Sequence, residues 1–204
     1  MTEYPTQEIS SCTACRLHKT RQNAVPGRGS LDAEILLLGE APGREEDAKG
    51  EPFVGRAGRL LENIISQVSP GKRQYWIDNV LHCRPPSNDI RKVPDCELTC
   101  KQLWLQRGID SLPNLKVIVC LGLTASSIWF PNLRSHEVIG MCRAVDGKVV
   151  IAAPHPAYMF RPGGGEWVKT EIATALELAN KLCMDQRLWQ QRTSTSRPLA
   201  PMTQ

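Results

Sequence analysis

The chain has 204 residues, enough for one domain with a substantial core, and nothing in its length requires two. Its 41% hydrophobic and 23% charged residues are those of an ordinary soluble globular protein. A formal charge of +4 permits a polyanionic partner without arguing for one, and the lack of any run of about 18 apolar residues excludes a transmembrane helix, so no membrane partner is expected.

The N-terminal "MTEYPTQEISS" has neither the basic nor the apolar region of a secretory signal, and a cytoplasmic location is expected. "EILLLG" (34–39) is nearly continuous in apolar residues, as a parallel strand buried on both faces is. It runs into "GEAPGREEDAKGEPFVGRAGRLL" (39–61), where prolines, glycines and charges interrupt regular structure. "GRLLENIISQV" then places Leu60, Leu61, Ile64, Ile65 and Val68 on one helical face. "YWIDNVL" (75–81) reads as the second strand. Pro94 to Gly108 starts on Pro-Asp and stops at a glycine, as a helix does. "KVIVCLG" (116–122) is the third strand, "LTASSIWF" a short helix, "KVVIAAP" (148–154) the fourth strand, and residues 167–184 the last helix. The alternation argues for an α/β fold, a parallel sheet covered by helices. Residues 1–184 form one domain in this reading. Residues 185–204, rich in Gln, Arg, Ser, Thr and Pro, are expected to be a flexible tail.

Ligands of open parallel sheets sit beyond the C-terminal ends of the strands. Three loops heavy in Gly, Pro and polar residues leave those ends here: residues 39–55, "NVLHCRPP" and "APHPAYMFRPGGG". Such loops carry function on a rigid scaffold.

Eight cysteines are an unusual count, and a disulfide framework is not expected in the cytosol. Cys120, Cys142 and Cys183 read as structural, since free cysteine packs as a small hydrophobe. Cys12 and Cys15 form a C-x-x-C, which gathers two thiolates on one turn and suits zinc or an iron–sulfur cluster. Cys83 follows the second strand, and Cys96 and Cys100 lie in the next helix. Spacing alone favours metal only slightly over two reduced thiols in a turn. It separates neither zinc from iron–sulfur nor Cys96 from Cys100.

"GEAPGREEDAKGEPFVGRAG", "DNVLHCRPP" and "HPAYMFR", with the leading "CTACRLHKTRQNAVPGRG", resemble the family 4 uracil-DNA glycosylases, the iron–sulfur branch of that superfamily. The resemblance runs from Cys12 to the helix near Cys183. It implies a three-layer α/β/α sandwich with a central four-stranded parallel sheet. It implies a monomeric, monofunctional enzyme that hydrolyses the N-glycosidic bond of uracil in single- or double-stranded DNA and leaves an abasic site. It also implies that Cys12, Cys15, Cys83 and Cys100 hold a [4Fe–4S] cluster that braces the fold without a redox step. Cys100 is preferred because the family's last ligand lies in the helix after a Pro-Glu-like start, matched by Pro94-Asp95. Cys96 is the alternative, because "SNDIRKVP" is slightly longer than the usual loop.

The chemistry explains the residue types. An extruded base must be held, and the charge that develops on its O2 must be met by a donor. The resemblance assigns the donor to His155 and the placement of the attacking water to Glu40. Asn79 would pair with O4 and N3–H of uracil and reject cytosine, whose pattern is reversed. Phe53 would stack on the base. Ala41 stands where another branch carries a catalytic aspartate. Gly43 leaves space beside the base, and Glu46 limits room at C5 and so excludes thymine. "GRAGRLL" starts a helix whose amides can face a phosphate. Arg56, Arg59, Arg84 and Arg161 are candidate phosphate contacts, and Tyr158, Met159 or Phe160 the wedge that enters the duplex. Ala157 stands where the family more often has serine, and "RPGGGEW" is an unusual continuation that alters the reach of the loop. "SNDIRKVPD" lacks the histidine with which a related branch bonds covalently to the abasic sugar, so no covalent trapping is expected.

Two other readings compete. One is a glycosylase for a modified pyrimidine or a deaminated purine. The other is a DNA-binding or replication-associated module with little activity, against which stand Glu40, Phe53, Asn79 and His155 together. A nucleotide hydrolase is disfavoured, because the Gly-rich segment lacks the Gly-Lys-Ser/Thr end of a Walker loop.

Overall fold

The computed structural model describes residues 3–69 and 75–193. Its strands are β1 (Arg28–Gly29), β2 (Ile35–Gly39), β3 (Tyr75–Asn79), β4 (Val117–Leu121), β5 (Cys142–Val145) and β6 (Lys148–Ala153). They form one sheet in the order β1-β3-β2-β4-β6-β5. β3, β2, β4 and β6 run parallel, while β1 lies antiparallel on β3 and β5 antiparallel on β6.

The expected four-stranded parallel sheet is therefore the centre of a six-stranded mixed one. Both extra strands are edges. β1 has two residues, too few for a pattern. β5 reads "CRAV" with only its cysteine buried. It is joined to β6 through Asp146-Gly147, both at positive φ (46° and 71°), which is the hairpin signal that sequence reading passed over.

The helices are α1 (Thr6–Ser10), α2 (Arg44–Lys49), α3 (Arg56–Val68), α4 (Pro94–Cys100), α5 (Gln106–Asp110), α6 (Leu123–Ser126), α7 (Ser135–Val138), α8 (Glu166–Met184) and α9 (Gln186–Thr193). Alternation along each strand divides the core in two. Leu36, Leu38, Trp76, Ile118 and Val150 face Ile9, Leu17, Trp104 and Ile109. Ile35, Leu37, Ile77, Val119 and Ile151 face Leu61 and Ile64 of α3 and Val168, Ile172 and Leu176 of α8. Each fully buried Leu or Ile adds about 1.5–3 kcal/mol, and the result is the three-layer sandwich.

Three boundaries differ from the sequence reading. β3 ends at Asn79 because the amides of Val80 and Leu81 turn to donate to Gly39 O and Glu40 O, both at 3.0 Å. The helix expected from Pro94 continues through a π turn at Lys101–Leu105, directly after Cys100. The first part of the expected tail is α9, which packs Leu188 and Trp189 on the core and is capped by Asp185, whose Oδ1 accepts from Arg187 N (2.9 Å) and Leu188 N (3.0 Å). Polar composition hid that cap. Residues 194–204 lie outside the described residues. Among the described residues no helix is long and apolar enough to cross a membrane.

The start of α3 is seated directly on the preceding loop. A Cβ on Gly58 would lie 1.8 Å from Phe53 O. Gly58→Ala is expected to cost about 3 kcal/mol by overpacking and to lower the melting temperature by roughly 6–12 °C for a domain of this size. A thermal melt checks this, and an unchanged midpoint would contradict the seating.

Candidate active site

A cavity of about 600 Å³ opens at the C-terminal ends of the four parallel strands. Each strand delivers a residue to it. Glu40 follows β2, Asn79 ends β3, Gly122 follows β4, and His155 comes two residues after β6. Ala41, Gly43, Glu46 and Phe53 line the same cavity from the irregular segment after β2.

Phe53 sits at φ +54°, in the left-handed region. For a non-glycine residue that costs on the order of 1–2 kcal/mol, and strain of this kind collects at functional sites. Its ring is near-parallel to that of His155, at 29° and a centroid distance of 6.1 Å. Gly39 makes room for this arrangement. A Cβ there would lie 2.5 Å from both Phe53 Cζ and Asn79 Oδ1.

Asn79 is buried, and its Oδ1 has no hydrogen-bond partner. An unpaired buried acceptor costs about 1–3 kcal/mol, so the site holds an unmet demand for a donor. His155 presents one. Its Nδ1 accepts from Ala157 N at 3.1 Å, which leaves the proton of the neutral ring on Nε2. Burial, with the charge of Arg161 acting in the same direction, lowers its pKa to about 4, so the ring is neutral at pH 7. Gly122, at φ +94°, gives the ring access, since a Cβ there would lie 2.9 Å from His155 Cβ.

Two carboxylates are held in place. Glu40 Oε2 accepts from Thr124 Oγ1 at 2.6 Å. Glu46 accepts from Gly43 N (3.1 Å) and Gly55 N (2.8 Å), which fixes the spacing between the two halves of the loop. Glu46 thus braces the wall that it lines.

Behind Asn79 lies a buried network. Asp78 accepts from Tyr4 Oη (2.6 Å), Asn79 N (2.7 Å) and His82 Nε2 (3.0 Å). His82 Nδ1 and N lie 3.3 and 3.4 Å from Cys100 Sγ. Burial disfavours charge on His82, but Asp78 and Cys100 outweigh it and raise its pKa to about 10. Cys12, Cys15, Cys83 and Cys100 line one small cavity, and Arg21 donates to Cys83 Sγ at 3.0 Å. Cys96 does not line it. Its sulfur lies 3.7 Å from Asp95 Oδ2, and burial, with Cys15 acting in the same direction, pushes its thiol pKa up. Among the described residues, no group of three or more His, Cys, Asp and Glu side chains is arranged to hold a metal ion.

Residues 26–177 match the uracil DNA glycosylase superfamily. The chain is 42% identical over 188 residues to a type-4 uracil-DNA glycosylase of Archaeoglobus fulgidus, covering 86% of this chain and 92% of that one. It is 37% identical over 167 residues to a type-4 uracil-DNA glycosylase of Thermotoga maritima, covering 80% and 85%. The chain belongs to the uracil DNA glycosylase superfamily, in its type-4 family. A type-5 uracil-DNA glycosylase of Thermus thermophilus is 33% identical over 115 residues, about half of each chain.

In this type-4 family member, Tyr158 and Arg161 line the cavity mouth. Met159 does not; it packs against the core. Arg56 lies outside the cavity, with its guanidinium 3.7 Å over the Phe160 ring. Arg84 donates to Asn88 Oδ1 at 2.7 Å, and Arg59 to Glu45 Oε2 and Val54 O. Cys120 and Cys142 are buried in the sheet, and Cys183 packs half-buried on the core. Sequence reading missed Thr124, Gly122, Asp78, His82 and Trp167. Gly122 carried a signal, as a glycine directly after a buried strand. Thr124 carried none, because its partner lies 84 residues away.

His155 is expected to titrate near pH 4 by NMR, well below the ordinary 6.5. Between these values the unfolded chain binds a proton that the folded chain does not, so this group's contribution to stability falls as pH drops through the window and levels off below about 4. An imidazole titrating at 6 or above would contradict the burial that keeps the ring neutral.

Proposed function

We propose that the chain is a monofunctional uracil-DNA glycosylase that hydrolyses the N-glycosidic bond of uracil in DNA and leaves an abasic site. The observation that carries this is the unpaired, buried Asn79 Oδ1, in one cavity with the Phe53 ring and the Nε2–H of His155. A planar base with an N–H beside a carbonyl answers all three. The names of the relatives support the same chemistry.

The base is extruded from the stack into the cavity. Its N3–H donates to Asn79 Oδ1, and Asn79 Nδ2 donates to O4. Cytosine offers an acceptor at N3 and an amine at C4, so it leaves the amide doubly unpaired. Phe53 carries the ring on its face. As the C1′–N1 bond breaks, its electron pair stays with the base, and the charge at O2 is met by His155 Nε2–H. A neutral donor suffices, and none of the site's work depends on an imidazolium. Glu40, fixed by Thr124, places a water for attack on C1′ and stabilises the positive charge on the sugar. The water's oxygen ends on C1′, and its protons end on the new hydroxyl and, through solvent, on the released base.

The four cysteines are the donor set of a [4Fe–4S] cluster, and they border one small cavity together. N–H donors already face Cys83 and Cys100, as they do around cluster thiolates. Cys100 is the fourth ligand in this reading, because Cys96 lies outside the cavity. Held by these residues, such a cluster would tie the N-terminal segment to α4 and would take no part in bond breaking.

Oligonucleotides carrying one uracil, single-stranded or opposite G or A, should become alkali-labile on incubation with the wild-type protein. His155→Ala should lower kcat about 10²–10³-fold, the usual effect of removing one oxyanion donor. Asn79→Ala should lose discrimination against cytosine. Intact strands from a folded, cluster-loaded protein would overturn the reading. Separately, anaerobically purified protein should be brown. Cys100→Ala should lose the colour and Cys96→Ala should keep it, whereas a colourless protein with stoichiometric zinc would refute the cluster.

A further inference from the structure

Tyr158, Phe160 and Trp167 stand exposed, and Tyr158 and Trp167 line the cavity. Phe160 has one face covered by Arg56. Trp167 is 40% exposed on the first turn of α8, lines the cavity with Arg161, and meets Tyr158 edge-to-face at 5.7 Å and 70°. Its indole N–H donates to Gly163 O at 3.0 Å. The polar part of the side chain is thus spent inside the loop, and what the ring offers outward is its π-surface.

The three glycines before it explain how it comes to be there. Gly163 and Gly165 adopt φ of 82° and 130°, and a Cβ on Gly164 would lie 2.0 Å from Tyr158 O. The loop lies flat against the 156–160 turn, and only glycine permits that approach. The indole is therefore held in place before any ligand arrives.

We propose that Trp167, supported by Tyr158, is a stacking platform for the nucleobase next to the extruded uracil. The inference rests on the glycosylase reading for the identity of the extruded base. A π-face accepts any base, so the contact is sequence-tolerant, and a purine gains more than a pyrimidine from its larger ring. Arg161, which lines the same cavity, suits the phosphate that joins the two nucleotides. The platform replaces stacking that the neighbour loses when the uracil leaves, including in single strands, where no partner strand holds it.

The test uses single-stranded oligonucleotides with a tetrahydrofuran abasic-site analogue and 2-aminopurine on one side or the other. Wild-type protein should quench the fluorophore on one side. Trp167→Ala should abolish the quenching and weaken Kd about tenfold, with an unchanged melting temperature, and Trp167→Phe should retain most of both. Equal Kd and equal quenching in Trp167→Ala, or no quenching by wild type on either side, would overturn the platform. A wild-type protein that quenches but releases no uracil would overturn the glycosylase reading and leave the platform standing. One that releases uracil while Trp167→Ala matches it in binding would overturn the platform alone.

Discussion

The carboxylate of Asp78 is the joint on which the site is assembled. It is a buried anion at the end of a central strand, and a charge in that position is tolerated only with a full set of donors. Tyr4, Asn79 and His82 supply them. Each belongs to a different part of the molecule: the N-terminal segment, the strand end that bears the amide, and the cysteine-rich side through His82 and Cys100. Tyr4 Oη in turn accepts from Gly27 N at 2.8 Å. Removing any one partner leaves the others around an under-satisfied charge, so these segments are bound to form together.

Around that joint, the cavity depends on what is left out as much as on what is present. Gly39 and Gly122 sit directly at strand ends, and a methyl group on either would collide with Phe53, Asn79 or His155. Side chains from separate segments meet because glycine ends β2 and follows β4. The strained backbone of Phe53 belongs to the same economy of space. Its ring reaches the cavity because Gly58 lets α3 rest on the carbonyl behind it.

Much of this was legible in the sequence, and the failures have physical causes. Continuous apolar runs gave the four central strands, and the motifs after them gave Glu40, Phe53, Asn79 and His155, which do share one cavity. Patterns failed where an element was too short or too exposed to alternate, as in β1 and β5. They failed again where polar composition concealed a cap, as at Asp185. Partnerships were invisible where they bridge distant segments: Thr124 with Glu40, Tyr4 with Asp78, and Glu46 with the amides of its own loop. Met159, one of three candidate wedge residues, packs partly buried on the core, and a five-residue turn gives no periodicity to say which side faces in. Nothing in the sequence distinguishes Cys96 from Cys100, four positions apart on one helix; of the two, only Cys100 borders the cavity with Cys12, Cys15 and Cys83.

The hydrogen bond from Ala157 N to His155 Nδ1 has an evolutionary corollary. The imidazole proton is directed by a main-chain amide, so its position does not depend on which side chain residue 157 carries. Every residue except proline supplies the same donor. The side chain at position 157 can therefore change, proline excepted, without moving the imidazole proton. The direction of the catalytic donor is thus insulated from the identity of a side chain two positions away.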